Sequence, residues 1–310
     1  TIPALNSPFF ATACRKFRVM ATISELNVYP IKSCAGIALK SARLLAQGLE
    51  YDRHWMLVDG NGRFVTQRQF PRLALVVPQL ASDELIMGAP GCASLRTPLE
   101  ASALAGAQRI EATVWSDAVT ALDTGDESAR WFSDFLGAPV RLVRFDPVAE
   151  RIASRKWTGE TIAPMCFADG YPVLVIGQAS LDDLNARLAS KGVDIIPMNR
   201  FRPNLVLTGL DAYEEDYVDT LHIEAQGGEV AVALRIVKPC PRCPMPTIDQ
   251  AKGAPDPRWP AEPTDTMSAY RADHRLDGAV TFGQNAIVVA GEGSLLSVGR
   301  EVGIALNFED

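Results

Sequence analysis

The chain has 310 residues, of which 47% are hydrophobic and 22% are charged, and its net charge is −7 at pH 7. This composition is typical of a globular protein, and the length is sufficient for two cores. The acidic balance excludes a general nucleic-acid binder, and no apolar run reaches the ~18 residues that a membrane span needs. We therefore expect neither a nucleic-acid partner nor a membrane span, and any anion site must be local.

The beginning of the chain differs from the rest in charge. Residues 1–20 carry three cations and no acidic residue. We expect residues 1–21 to form a disordered leader before a fold that starts at Thr22; the alternative is a remnant of a mitochondrial targeting segment. The cysteines lack the spacing of a small disulfide-rich domain, which predicts a reducing compartment and a cytoplasmic protein. They are Cys14, Cys34, Cys92, Cys166, Cys240 and Cys243.

Short strands with turn residues between them fill the first half of the chain. The segment Asp59-Gly60-Asn61-Gly62 predicts a hairpin turn between strands at 51–58 and 63–67, because glycine readily adopts positive φ. The other strands are predicted at 22–30, 36–45, 73–77, 84–87, 94–97, 108–114, 119–121 and 140–145. A spacing of about ten residues between strands is typical of an antiparallel sheet or barrel.

A helix and a change in composition interrupt this series. Apolar residues recur with helical spacing in a predicted helix at 126–136, and Gly137 can close it. Residues 146–166 are charged and lack periodicity. We therefore predict one domain at 22–145 and a second domain at 146–310.

The second half of the chain is again rich in strands. They are predicted at 172–176, 201–208, 221–225, 229–237, 280–289 and 299–306. Ser180 is the predicted cap of a helix at 181–189, and a short helix is predicted at 266–275. The prolines of residues 247–263 predict a surface loop. The whole pattern predicts a mainly β chain with a few helices, an α+β fold of two strand-rich units.

Two cysteines and two cations lie among four prolines in the segment 238–247. Proline fixes φ and has no amide hydrogen. We therefore expect the preceding strand to end at Val237 and a stiff loop to hold Cys243 in one place.

The Cys240-x-x-Cys243 pair permits four interpretations. Half of a zinc site needs two further ligands, and the sequence has no second CxxC or HxxxH motif. A thioredoxin-like redox pair needs a helix to begin at the motif, which the prolines disfavour. A third interpretation is one thiolate on a metal that brings most of its own ligands, with Arg242 favouring the thiolate. An inert buried cysteine would suit a more apolar setting than this one.

Polar clusters mark the ends of four predicted strands, at 29–34, 52–55, 199–204 and 282–285. Each by itself is typical of a solvated strand end, and Arg53 can simply pair with a neighbouring acid. Together they supply cations and amides that suit an anionic, hydrogen-bonding ligand in a protein that is acidic as a whole.

Six segments occur in a fixed order along the chain, namely YPIKSC, DRHWMLVD, TQRQFPRLALV, RFRPNLVL, CPRCPMPTID and FGQN. Jointly they resemble the MOSC-domain family, and most of all the mitochondrial amidoxime reducing components and their bacterial relatives. The resemblance covers Thr22 to Leu306. It implies two β-barrel-like units, a MOSC N-terminal domain packed on a MOSC β-barrel.

The resemblance also implies a site for the molybdenum cofactor (Mo-molybdopterin). Cys243 matches the catalytic cysteine that ligates molybdenum, whereas Cys240 matches a position that is not a ligand. The residues implied in cofactor binding are Lys32, Ser33, Arg53, Gly170, Tyr171, Arg202, Asn204, Arg242 and Asn285. The chain departs from the family at Pro241, where relatives often have a small polar residue, and at Gly170-Tyr171, where they have Thr-Ser. We expect Tyr171 to narrow the substrate entrance or to contact the pterin differently.

The activity implied by the resemblance is the reduction of N-hydroxylated compounds such as amidoximes, hydroxylamines and N-hydroxylated bases. Two electrons and two protons convert the N–OH group to an amine and water. Because the chain has no C-x4-C-x2-C run, we expect a separate flavin, haem or iron–sulfur protein to donate the electrons. His54 has no assigned role. The alternative function is a carrier of the cofactor or of sulfur, without turnover of its own.

Overall fold

The structure is a computed structural model that describes residues 19–225 and 230–307. The strands are β1 (Val19–Val28), β2 (Ile37–Leu39), β3 (Ser41–Leu45), β4 (Gly48–Leu49), β5 (Trp55–Val58), β6 (Val77–Leu80), β7 (Glu84–Gly88), β8 (Leu95–Pro98), β9 (Arg109–Val114), β10 (Asp117–Asp123), β11 (Arg141–Phe145), β12 (Val173–Gly177), β13 (Leu205–Thr208), β14 (Val218–Ile223), β15 (Val232–Pro241), β16 (Ile248–Asp249), β17 (Ala254–Pro255), β18 (Ala272–Asp273), β19 (Ala279–Ala290), β20 (Leu295–Ser297) and β21 (Glu301–Leu306). The helices are α1 (Asp126–Leu136), α2 (Arg155–Thr158), α3 (Gln178–Ser190) and α4 (Thr264–Ser268). Over these ranges, no helix is both long and apolar enough to cross a membrane.

Seven strands form a closed barrel in the order β12, β13, β1, β21, β14, β15 and β19, and pairing between β12 and β19 closes it. The sequence of β1 shows why it fits this position. Ala21 and Ile23 point into the barrel, and so do Leu26 and Val28. A bulge between Ile23 and Glu25 moves the alternation by one residue, so both pairs face the same core.

The second strand-rich unit is a half-barrel built from two smaller sheets. One has the strand order β5, β11, β10 and β9, and the other has the order β6, β7 and β8. Helix α1 packs with them around a core that contains the fully buried Trp55, Leu57, Phe132 and Leu142. The predicted fold class, mainly β with a few helices, is confirmed.

The first strand of the chain belongs to the barrel of the second half. Hydrogen bonds join β1 to β13 on one side and to β21 on the other. The barrel is therefore built from both halves of the sequence, and the division into domains at 22–145 and 146–310 stays a prediction. Strand β1 begins at Val19, so residues 19–21 belong to the fold rather than to the predicted leader. Residues 1–18 lie outside the described ranges.

Two predicted strands of the first half are wrong. Instead of a strand at 73–77, a 3-10 helix spans Pro71–Leu75, where proline starts the turn and Leu73 is buried. In the range 63–67, Arg63 and Phe64 form isolated bridges, and no strand is present. The predicted turn before them is present, because the amides of Asn61 and Arg63 donate to the Asp59 carboxylate.

The helices of the second half begin at different residues than predicted. Helix α3 starts at Gln178, so Ser180 lies inside it, and the Ser180 hydroxyl donates to the buried Glu215 instead of capping the helix. Helix α4 spans Thr264–Ser268, earlier and shorter than the predicted 266–275. The predicted loop at 247–263 contains the short hairpin of β16 and β17. The strand predicted at 229–237 begins at a residue outside the described ranges.

Candidate functional site

One cavity of about 640 Å³ is lined by residues from both halves of the sequence. Every residue that the sequence analysis assigned to the cofactor site lines this cavity. They are Lys32, Ser33, Arg53, Gly170, Tyr171, Arg202, Asn204, Arg242, Cys243 and Asn285. The fold therefore brings together side chains that are up to 253 positions apart in the chain, since Lys32 and Asn285 line the same cavity.

The backbone around the cavity is strained. Ser33, Arg53, Trp115 and Arg202 have φ values of 69°, 53°, 58° and 60°, in the left-handed region that glycine favours. For residues with a side chain this conformation costs roughly 1–2 kcal/mol each. Such residues cluster at functional sites, where the surrounding structure holds them in place. These turns aim the side chains of Arg53 and Arg202 into one cavity.

Arg53 and Arg202 both pack against the ring of a buried tyrosine. Their guanidinium carbons lie 4.3 Å and 4.2 Å from the centre of the Tyr29 ring. Arg53 is held by the buried Asp52, whose two carboxylate oxygens each accept from Nη1 at 2.6 Å. Arg202 donates from Nη1 to the Cys34 carbonyl at 2.6 Å.

Arg202 is a buried cation with an unused donor. Its side chain forms no ion pair among the described residues, and its Nη2 atom is buried without a hydrogen-bond partner. Burial, together with the nearby Arg53, lowers the pKa of Arg202 to about 10. Because a buried donor is costly to leave unpaired, the arrangement favours an anion beside Arg202.

A second group of polar residues forms around Lys32. The Lys32 ammonium donates to the Phe167 carbonyl at 2.9 Å and to Asp169 Oδ1 at 2.6 Å. Trp115 Nε1 donates to the same carboxylate oxygen at 3.1 Å. Burial lowers the pKa of Lys32, although Asp169 opposes that shift. Asp169 was not predicted from the sequence, and its position directly before Gly170-Tyr171 is the local signal that points to it.

Arg151 is a further cavity residue that the sequence analysis missed. Its Nε donates to Asp117 at 2.9 Å, and its Nη1 donates to the carbonyls of Cys166 and Ala168 at 2.9 Å and 2.5 Å. The guanidinium thus fixes the backbone that leads to Asp169. It lies in a stretch that was predicted to be an aperiodic connection, which gave no sign of a buried cation.

The two thiols have different surroundings. Strand β15 does not end at Val237 as predicted but continues to Pro241, because bulges in its pairing with β19 tolerate the missing proline amides. Cys240 therefore lies in the strand, and Cys243 follows it. Arg242 Nη1 donates to Cys240 Sγ at 3.1 Å, and its Nη2 donates to the Phe201 carbonyl at 2.8 Å.

Cys243 is half-buried and lines the cavity. Its sulfur has no hydrogen-bond partner in the part of the chain that the structure describes. In the same part, no three His, Cys, Asp or Glu side chains lie close enough together to hold a metal ion. Neither a zinc site nor a thioredoxin-like helix start is formed around the pair, since a 3-10 turn at Met245–Thr247 follows Cys243. Cys240 also lines the cavity, but its sulfur accepts from Arg242, so Cys243 offers the thiol without a hydrogen-bond partner.

The remaining predicted residues differ in how much of their side chain is free. Both amide atoms of Asn204 are used by the backbone, since Oδ1 accepts from Leu174 and Nδ2 donates to Asn27. Asn285 Nδ2 donates to the Pro239 carbonyl at 3.4 Å. Tyr171 is 9% exposed, and Lys238 lies 5.9 Å from the centre of its ring.

His54 does not line the cavity. It packs against the rings of Tyr51 and Trp55, at 5.8 Å and 6.0 Å between centroids. Burial, reinforced by Arg144, lowers its pKa to about 3. Its place in the segment DRHWMLVD therefore reflects packing.

The sequence of this two-unit protein matches two family profiles. Residues 20–139 match the MOSC N-terminal beta barrel domain, and residues 163–303 match the MOSC domain. The chain belongs to the MOSC-domain family. The resemblance carried by the six segments is thereby confirmed, and the MOSC profile covers Cys243, Arg202 and Arg242.

Curated members of the MOSC-domain family are similar to this chain over most of its length. Mitochondrial amidoxime reducing component 2 of Bos taurus is 36% identical over 264 residues, which are 83% of this chain and 74% of that protein. Mitochondrial amidoxime-reducing component 1 of Homo sapiens is 33% identical over 285 residues, 87% of this chain and 79% of that protein. The molybdenum cofactor sulfurase of Bos taurus is 32% identical over 245 residues, 74% of this chain but 27% of that protein.

Proposed function

We propose that this MOSC-family protein is a molybdenum-cofactor-dependent oxidoreductase that reduces N-hydroxylated compounds, such as amidoximes, hydroxylamines and N-hydroxylated bases, to amines. The names of its relatives support an amidoxime-reducing activity. The observation that carries the proposal is the half-buried Cys243 thiol, which has no hydrogen-bond partner among the described residues and lines a cavity with buried cations in a chain of net charge −7.

The cavity residues fit the cofactor's chemistry. A pterin with a phosphate needs anion-binding groups, and the buried Arg202 Nη2 and Arg242 Nε atoms have no partner within the described ranges. A molybdenum ion favours soft sulfur ligands, which the unbonded Cys243 thiol offers. Cys243 would hold the metal, while Lys32, Arg53 and Arg202 would hold the phosphate and pterin. When bound, the cofactor supplies the two-electron redox chemistry.

The chain's own residues orient the reactants. Asp52 fixes the Arg53 guanidinium through two 2.6 Å contacts, so this cation loses little freedom when an anion binds. Trp115 and Arg68 also line the cavity, and the Arg68 guanidinium carbon lies 4.5 Å from the centre of the Trp115 ring. This wall offers a flat surface for a planar substrate.

A carboxylate that can accept a hydrogen bond from the substrate lies beside Trp115 and Lys32. The Asp169 side chain is 65% exposed, and its Oδ1 accepts from Lys32 and Trp115. Those two donors hold the carboxylate in place, and Oδ2 accepts no hydrogen bond within the described ranges. We assign Oδ2 of Asp169 as an acceptor for the substrate N–OH group.

A separate electron-donor protein, carrying flavin, haem or an iron–sulfur cluster, is part of the proposal. The compartment also stays a prediction. The scattered cysteines favour the cytoplasm, whereas the word mitochondrial in the relatives' names supports the alternative that residues 1–20 are a targeting remnant.

A second candidate function is a carrier of the cofactor or of sulfur. The similarity to a molybdenum cofactor sulfurase favours it, although the match spans 27% of that protein. A carrier would bind metal at Cys243 without turning over N-hydroxylated substrates.

One experiment separates the two candidates. Protein purified from a host that makes the cofactor is assayed for molybdenum, and the chemically reduced protein is tested on benzamidoxime. Stoichiometric metal with turnover supports the reductase, and metal without turnover on a panel of N-hydroxylated compounds supports the carrier. Cys243→Ser should abolish activity, whereas the matched Cys240→Ser should cost much less. Equal losses from both variants would contradict the single-thiol assignment.

A further inference from the structure

The loop after Cys243 is held from outside the cavity by a buried arginine. Arg200 is 7% exposed, and its Nη1 donates to the carbonyls of Pro246 and Thr247 at 3.2 Å and 3.1 Å. Its Nη2 lies 3.5 Å from Asp249 Oδ2. A planar guanidinium that reaches two consecutive carbonyls and a carboxylate restricts the backbone more than a flexible ammonium would.

Two glutamines hold the same loop from the other half of the sequence. Gln67 is fully buried, and its Nε2 donates to the Ser33 carbonyl at 2.7 Å and to Gln250 Oε1 at 3.0 Å. Gln250 Nε2 donates back to Gln67 Oε1 at 3.0 Å. Gln67 lies in the part that matches the N-terminal domain, and Gln250 lies in the MOSC part. The amide pair thus links the strained Ser33 turn to the loop that follows Cys243.

The loop between these two contacts is rigid in itself. The amide and the hydroxyl of Thr247 both donate to the Pro244 carbonyl, at 3.0 Å and 2.8 Å. A turn that is closed internally moves as one piece, so contacts at its far end also place the residue before it. Cys243 directly precedes Pro244.

We propose that Arg200 and the Gln67–Gln250 amide pair are positioning residues for the Cys243 thiol. They set where the sulfur lies relative to Ser33 and to Arg202, which follows Arg200 by two residues. None of the three lines the cavity. The benefit of holding the Cys243 sulfur in this position rests on the proposed cofactor function. The position itself depends on contacts within the chain.

The test measures the reactivity of Cys243 in protein without cofactor. In a Cys14→Ser, Cys92→Ser, Cys240→Ser background, the remaining cysteines besides Cys243 are the buried Cys34 and Cys166. Dithiobis-nitrobenzoate then reports the rate at which the Cys243 thiol is reached. Arg200→Met and Gln250→Ala should each raise this rate constant about fivefold. Each substitution removes hydrogen bonds that hold the loop after Cys243, so the loop opens more often and exposes the thiol.

The coupling of the glutamines gives a sharper expectation. Adding Gln67→Ala to Gln250→Ala should raise the rate constant by less than the product of the two single effects, because both substitutions remove the same amide pair and only Gln67→Ala also removes the bond to the Ser33 carbonyl. Arg187→Met is the matched control for Arg200→Met, since Arg187 pairs on the surface of α3 with Asp183. Gln178→Ala, which removes a surface bond to Asp182, is the control for Gln250→Ala.

Protein loaded with cofactor provides a second readout. Arg200→Met and Gln250→Ala should lower the molybdenum content per chain, and the two controls should not. If both variants lower the melting temperature but leave the Cys243 rate constant at the parent value, the positioning role is wrong. If Arg200→Met does not fold, the partly exposed Gln250 decides the question by itself. A parent protein that takes up no molybdenum would overturn the proposed function instead, while the thiol rates would still test the positioning.

Discussion

The two cysteines of the CPRC segment differ by one side-chain contact, the hydrogen bond from Arg242 to Cys240. Arg242 donates to Cys240 Sγ and to the Phe201 carbonyl, so Cys240 belongs to the structure of the strand end. Both cysteines line the cavity, but the sulfur of Cys243, three residues on, has no hydrogen-bond partner among the described residues. Its sulfur is therefore the one that an external ligand can use.

His54 gives a prediction about pH that is independent of the cofactor. Burial, reinforced by Arg144, lowers its pKa from 6.5 to about 3. Between these values the unfolded chain binds a proton that the folded protein does not bind. The contribution of His54 to the free energy of unfolding is therefore fully present above pH 6.5 and is lost as the pH falls toward the folded-state pKa. Between about pH 7 and about pH 5 this group should lower the free energy of unfolding by about 2 kcal/mol.

The measurement is urea unfolding at both pH values. In His54→Gln the loss of unfolding free energy on acidification should be smaller than in the parent by that amount. His274→Gln, which changes an exposed histidine, is the matched control. A parent and a His54→Gln variant with the same pH dependence would mean that His54 is protonated in the folded protein.

Among the elements, the strained turns at the cavity were the least visible in the sequence. Helix α1 was predicted at its observed bounds because its signal is local, with apolar spacing and a closing Gly137 at φ 68°. Strand β15 was predicted to stop too early, because its bulges depend on pairing with β19. The left-handed backbone of Ser33 and Arg202 is imposed by contacts with residues that are distant in sequence, and no local sequence pattern predicts it.

The Ser33 turn can be used to separate stability from function. Ser33→Gly should stabilise the protein without cofactor by about 1 kcal/mol, because glycine adopts positive φ without strain. The same variant should retain less molybdenum if the hydroxyl contacts the cofactor. Both quantities are measurable, by urea unfolding and by metal analysis of protein from a cofactor-producing host.

Ser33→Ala is the control for this turn. It removes the hydroxyl but keeps a side chain in the strained conformation, so it should lower the molybdenum content without the gain in stability. The hydrogen bond from Gln67 ends on the Ser33 carbonyl and is available in both variants. A Ser33→Gly variant that is less stable than the parent would contradict the strain argument.

At the scale of the whole molecule, the barrel is shared between distant parts of the chain. Strand β1 lies between β13 and β21, and its inward residues Ile23 and Leu26 are fully buried. A fragment of residues 146–310 should therefore not fold, since it lacks one strand of a closed barrel. Fusing residues 19–28 to its end should increase its ordered structure, measured by circular dichroism and amide dispersion in NMR spectra. A well-folded fragment without β1 would show that the barrel closes by other means.

The site could be predicted in part because the family resemblance identifies residues that are far apart in the sequence and that no local pattern would group together. All ten selected residues line one cavity. Asp169 and Arg151 were missed, and Arg200 was placed in the polar cluster at 199–204 without a role of its own, because each acts through contacts with backbone or side chains remote in sequence. Charged residues of that kind look like ordinary surface charges until the fold buries them.

The central claim is that the Cys243 sulfur binds molybdenum. X-ray absorption at the molybdenum edge, on cofactor-loaded parent and Cys243→Ser proteins, counts the sulfur atoms around the metal most directly. The account predicts one sulfur fewer in Cys243→Ser and an unchanged count in Cys240→Ser. An unchanged count in Cys243→Ser, or the loss of a sulfur in Cys240→Ser, would contradict it.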